Sequence, residues 1–213
     1  MLRRPGLVLV IASVLAACGG SSSTPQAATP ASVAVQQSDL PSGMVRCDLS
    51  GDIDSFIKTE ASPDPATSKT MSSDWQTAKS KGAKAAYVAV YTDSSAHCAT
   101  VKTSGSDIGA ASYKLVLNFV IEFRDEKTAA TSYTSDSVLG FSASSLKSGI
   151  VPVIEGTSTG LTKNSISLTQ PIAGQLYYIA VWQNKAFMVI LAVLNLDAAS
   201  AKKVSTSENG RIK

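Results

Sequence analysis

Tyr113-Lys114-Leu115-Val116-Leu117-Asn118-Phe119-Val120-Ile121-Glu122-Phe123-Arg124 is the stretch that decides the fold class. Tyr113, Leu115, Leu117, Phe119, Ile121 and Phe123 fall on one side of an extended chain, and all are large and apolar. Lys114, Asn118, Glu122 and Arg124 fall on the other, with Val116 and Val120. A period of two with one polar side predicts a half-buried antiparallel strand.

The neighbouring segments extend that sheet. In Ala85 to Thr92, Tyr87, Ala89 and Tyr91 alternate with Ala86, Val88 and Val90, so both faces are apolar and the strand reads as central. Gln175 to Gln183 and Ala186 to Leu196 are strong strands joined at Asn184-Lys185 by a tight hairpin. The second of these is nearly all apolar yet falls short of the ~20 residues a membrane span needs. Ile150 to Ile154 and Asn164 to Gln170 add weaker strands. Helices are predicted near Ser50 to Ile57, over Ser73 to Lys81 with Trp75 and Ala78 inward, after Asp125 through Tyr133, and after Asp197 through Val204. Ser62 to Ser68 reads as a Pro-broken loop, and Asp39 to Met44 as an entry turn. These elements predict an α+β fold: a mainly antiparallel, curled sheet with helices packed on one face.

The N-terminus carries a different kind of signal. Arg3 and Arg4 precede the apolar run Leu7 to Leu15, which has the length of a signal-peptide core. Leu15-Ala16-Ala17-Cys18 follows, and it resembles the lipobox of bacterial lipoproteins. That resemblance implies cleavage before Cys18, acylation of its thiol with palmitate-type chains, and an extracytoplasmic domain anchored to a bacterial membrane by lipid. Gly19 to about Gln37 is mostly Ser, Thr, Ala, Pro and Gln, and reads as a flexible tether. The expected organisation is signal peptide 1–17, lipidated cysteine and tether 18–38, and a single domain 39–213.

Composition narrows the partners. Of 19 basic residues, Arg3 and Arg4 leave with the signal, so 17 face 16 acids. A nearly neutral domain argues against nucleic acid. With Cys18 acylated, Cys47 and Cys98 remain in an oxidising compartment and are expected to bridge.

Catalytic motifs find little support. Gly156-Thr157-Ser158-Thr159-Gly160 matches the G-x-S-x-G pattern of serine hydrolases. That pattern needs a helix after the serine and a histidine later in the chain. Here a strand-like segment follows, and the single histidine, His97, lies upstream. A Cys98–His97 nucleophile would need a free thiol, which the disulfide removes. Asp48, Asp52 and Asp54 lack the spacing of a calcium loop, and helix capping accounts for Asp52 and Asp54 without a metal. No metal site and no cofactor is expected. Trp75, Tyr87, Tyr91, Tyr177, Tyr178 and Trp182 are read chiefly as core. Adjacent strand residues point to opposite faces, so one of Tyr177 and Tyr178 leaves the core and is a weak ligand-binding candidate.

Trp75 with Gly82-Ala83 and Tyr87, the run Phe119 to Tyr133, and Ala180-Val181-Trp182-Gln183 through Asn195-Leu196-Asp197 resemble small bacterial lipoproteins of uncharacterised function, with a loose PsbP-like analogy of fold. The expected function is a non-enzymatic, lipid-anchored binding or interaction module of the cell envelope, its partner an envelope protein or an apolar ligand. The alternative is a carrier of a lipid or other apolar ligand, similar to half-barrel mycobacterial lipoproteins, which requires a deep cavity between sheet and helices. A serine hydrolase built on Ser158 is the remote alternative.

Overall fold

The computed structural model describes residues 27–103, 111–135, 137–149, 151–172 and 174–213. Within them runs one sheet of eight strands: β1 (Val45–Arg46), β2 (Gly51–Asp52), β3 (Ala83–Thr92), β4 (Leu115–Phe123), β5 (Val153–Glu155), β6 (Ser165–Ile172), β7 (Gln175–Asn184) and β8 (Phe187–Leu194). The order is β1-β3-β4-β8-β7-β6-β5, with β2 also on β3, and every pairing is antiparallel. The decisive stretch is therefore the middle of the sheet: Phe119 lies between Val88 of β3 and Ile190 of β8. The β7–β8 hairpin turns on Lys185-Ala186, one residue later than expected, with Lys185 in the left-handed region at φ 49°.

Seven α-helices accompany the sheet among the described residues: α1 (Pro30–Val33), α2 (Ile53–Glu60), α3 (Pro65–Ser80), α4 (Ser95–Thr103), α5 (Glu126–Ser135), α6 (Ala143–Lys147) and α7 (Ala198–Asn209). The caps follow the sequence. Asp52 accepts the Ser55 N–H at 2.8 Å, Asp125 that of Thr128 at 2.7 Å, and Asp197 that of Ser200 at 2.9 Å. The α3 helix begins eight residues earlier than expected, because Pro65 occupies the first helical position, where its missing N–H does no harm. Asp64 caps it, accepting the Thr67 N–H at 3.0 Å.

The α+β class and the antiparallel sheet are as expected, but helices cover both faces of the sheet. Met188, Ile190, Ala192 and Leu194 of β8 join a core with residues of α2, α3, α4 and α5. Phe187, Val189, Leu191 and Val193 join a second core with α7 and residues 33–35. The polar residues of β4 suggested a wet face, yet Asn118 is 0 % exposed. Its amide takes the Val35 N–H on Oδ1 (3.1 Å), and Nδ2 donates to Ile190 O (3.3 Å) and to Glu208 Oε1 on α7 (2.8 Å). One polar side chain thus ties both ends of the domain to the sheet.

Packing against the sheet begins before residue 39, within the expected tether. Thr29 caps α1, and Val33, Ala34 and Val35 are at most 1 % exposed. Arg211 donates to Val33 O and Ala34 O, both at 3.0 Å, and grips the Asp39 carboxylate at 2.9 and 2.8 Å. Three small apolar residues and their carbonyls suffice to seat this segment, so the domain starts near Thr29 rather than at 39. The expected signal peptide, Cys18 and the first part of the expected tether lie outside the described residues.

Candidate functional site

Cys47, just after β1, forms a disulfide with Cys98 of α4, their Cα atoms 5.3 Å apart. Ser94 sets the start of α4: its hydroxyl accepts the His97 N–H at 3.2 Å and its carbonyl the Cys98 N–H at 3.2 Å. The bridge closes a long loop, and it fixes α4 beside the sheet on the face carrying α2 and α3.

A cavity of about 190 Å³ lies between these helices and the sheet. Its floor is Val90 of β3 with Leu117 and Phe119 of β4. Leu117 stands in the middle of a central strand yet remains partly exposed. The walls come from Phe56 of α2, Met71 of α3 and Val101 of α4. Phe56 packs edge-on against Phe119, with ring centroids 6.2 Å apart at 82°. Leu139 and Phe141 complete the lining from a tight turn. Val138 and Phe141 exchange backbone hydrogen bonds of 2.8 and 3.0 Å across that turn. Its central residues both have positive φ, Leu139 at 51° and Gly140 at 80°. Glycine adopts this freely, whereas for leucine it costs about 1–2 kcal/mol. The burial of the Leu139 side chain against the core offsets that strain.

Two polar side chains reach this cavity, Thr67 and Glu60. The Thr67 hydroxyl donates to Asp64 Oδ2 at 2.9 Å. Glu60, at the end of α2, is 1 % exposed, and neither carboxyl oxygen has a hydrogen-bond partner among the described residues. Burial, and then the Asp64 charge, push its pKa up to about 7, against the opposing pull of Lys102. A buried carboxyl without partners in an apolar cavity is costly to folding and marks a candidate functional position.

The residues singled out from sequence lie elsewhere. Tyr178 is buried under α7, sharing a 2.9 Å hydrogen bond with Ser205, and Tyr177 packs against the core on the opposite face, its hydroxyl 3.1 Å from Gln175. Neither lines the cavity. Trp75, Tyr91 and Trp182 are core residues, and Tyr87 carries Arg46 against its ring. His97 bonds Asp93 through Nδ1 and stacks on Tyr113 at 4.2 Å, while the other Asp93 oxygen accepts the Lys114 N–H at 3.1 Å. The pair staples α4 to the start of β4. Ser158 sits exposed in a 3-10 turn, Gly156–Thr159, between β5 and β6. A strand rather than a helix follows it, so the geometry of a nucleophile elbow is missing. Asp52 serves as a cap, and among the described residues no group of three His, Cys, Asp or Glu is placed to hold a metal.

Glu60 escaped the sequence reading although a signal was there. Ile53, Phe56, Ile57 and Glu60 follow the i, i+3, i+4, i+7 spacing of a buried helix face, and the last of them is an acid.

Among the described residues the fold and site define a class: an antiparallel α+β domain with both sheet faces covered, one disulfide, and a largely apolar pocket beside the unpartnered Glu60 carboxyl. No family model matches the chain, and no curated protein matches it in sequence. Its fold is similar to that of the extracellular domain of PknH from Mycobacterium tuberculosis, at TM-score 0.50 and 10 % identity, covering 88 % of this chain and 97 % of that one.

Proposed function

We propose that this protein is a non-catalytic binding module of the bacterial cell envelope, held to the membrane by acyl chains on Cys18, with its ligand site in the pocket over Leu117. The observation that carries the reading is the Glu60 carboxyl, unpartnered and walled by apolar side chains in a cavity that the folding of α2, α3 and α4 leaves open. Such a group destabilises the free protein and is compensated when a ligand arrives. The lipobox supports the anchor. The likeness to an extracellular domain supports the compartment, and no described helix is long and apolar enough to cross a membrane.

The pocket's size bears on the alternative of lipid carriage. About 190 Å³ is below the ~300–1,000 Å³ typical of sites for drug-sized ligands. It suits a compact apolar molecule, not a diacyl lipid. The test is native mass spectrometry of the full chain extracted gently from the envelope, beside a Leu117→Trp variant that fills the pocket. A small molecule bound one-to-one in the natural protein and lost from the variant supports the reading. The bare-chain mass for each protein, with no bound species, argues against it. Metabolic labelling with a palmitate analogue, lost on Cys18→Ala, tests the anchor separately.

A further inference from the structure

We infer that the pocket over Leu117 selects a small hydrophobic amine, a single ring or short chain bearing one ammonium, whose charge pairs with the Glu60 carboxylate. This rests on the pocket being the binding site, and adds the chemistry of what enters it.

An ammonium offers three donors and a full positive charge, and Glu60 offers two acceptor oxygens that nothing in the described structure uses. A charge-assisted hydrogen bond in an apolar pocket is among the stronger polar contacts available. The other ligand classes fit less well. A neutral hydrocarbon fills the space but leaves the carboxyl orphaned. An alcohol satisfies one lone pair and no charge. A carboxylate ligand adds a third negative group beside Glu60 and Asp64, which already acts on Glu60 through its charge. Lys102 of α4 is the positive group that faces Glu60; it acts through space and makes no hydrogen bond to it. The volume sets the rest of the molecule, since an apolar cavity of ~150 Å³ already admits benzene. One ring and an aminomethyl group are the appropriate scale.

The same contact implies proton release. With its pKa near 7 in the free protein, Glu60 is about half protonated at neutral pH and fully ionised once paired. Amine binding at pH 7 therefore releases about half a proton per site.

The test is isothermal titration of the full chain, in non-ionic detergent, with benzylamine, benzyl alcohol and benzoate, in two buffers of different ionisation enthalpy. The expected result is benzylamine binding at least about tenfold tighter than benzyl alcohol, no binding of benzoate, and buffer-dependent heat for the amine alone. Glu60→Gln removes the amine preference, so that benzylamine falls to about the affinity of benzyl alcohol for that variant. In the unmutated protein the amine-to-alcohol preference rises between pH 5.5 and pH 8, a readout that does not depend on the variant folding. Equal affinity of amine and alcohol overturns the amine assignment while leaving the pocket as a binding site. Equal loss of both ligands in Glu60→Gln also overturns the assignment. Failure of every probe to bind at millimolar concentration overturns both the ligand class and the pocket.

Discussion

Replacing Glu60 by glutamine should change not the stability of this domain at one pH but the shape of its pH profile. Glu60 is a carboxyl whose folded pKa lies near 7, against an ordinary value of 4.5, raised by burial and then by Asp64. The folded state therefore holds a proton that the unfolded state has already lost, and stability falls as pH rises through this interval. The favourable contribution is intact below about pH 4.5, declines from there to about pH 7, and stays lost above. At about 1.4 kcal/mol per unit, the group makes the folded state less stable at pH 8 than at pH 5 by about 2–3 kcal/mol. Glutamine has nearly the same shape and no titration, so that slope should vanish. Urea unfolding, followed by the fluorescence of the buried Trp75 and Trp182, measures it for both proteins at half-unit steps. Glu208, also raised by burial, adds a slope of the same sign, but it is common to both proteins and cancels in their difference. Superimposable profiles for the natural protein and Glu60→Gln would refute the argument, because they would mean that Glu60 titrates normally.

Three further outcomes follow from the same contacts. Cys47→Ser with Cys98→Ser should lower stability by up to about 4 kcal/mol, since the bridge closes a loop of 51 residues; calorimetry with and without reductant checks this. Asn118→Leu should cost about 2–4 kcal/mol, because the Val35 N–H and the Glu208 carboxyl lose their shared buried partner; denaturant unfolding reads the loss. Arg211→Ala should release residues 33–39, seen as faster amide exchange at Val35 and its neighbours while β4 and β8 stay protected.

The parts of this fold that were legible in the sequence are those in which one local rule acts alone. The alternation of Leu115 to Phe123 and of Tyr87 to Val90 marks strands wherever they end up in the sheet. Asp52, Asp125 and Asp197 mark helix starts because capping involves only the next three residues. The rest depended on distant partners. Asn118 resembles a solvent-facing residue until Val35 and Glu208, 83 positions before and 90 after it, supply its hydrogen bonds. Val33 to Val35 carry little apolar bulk and become core only because the sheet and Arg211 receive them. The α4 helix has a weak apolar stripe and is held by the disulfide and the His97–Asp93 pair. The site was missed for a related reason. The aromatic and histidine residues occupy core and staple positions, whereas the proposed site turns on one acid in an otherwise apolar helix face.

In the proposed function, ligand enters the pocket over Leu117 and meets Glu60. Methyl and carboxyl NMR of the protein during benzylamine addition tests it most directly. The expected result is shifts in the Met71, Val101 and Leu117 methyls, accompanied by ionisation of the Glu60 carboxyl, while Val189 and Val193 on the opposite face stay unmoved. Saturable shifts confined to that opposite face, or a Glu60 signal unaffected while the amine binds, would contradict it.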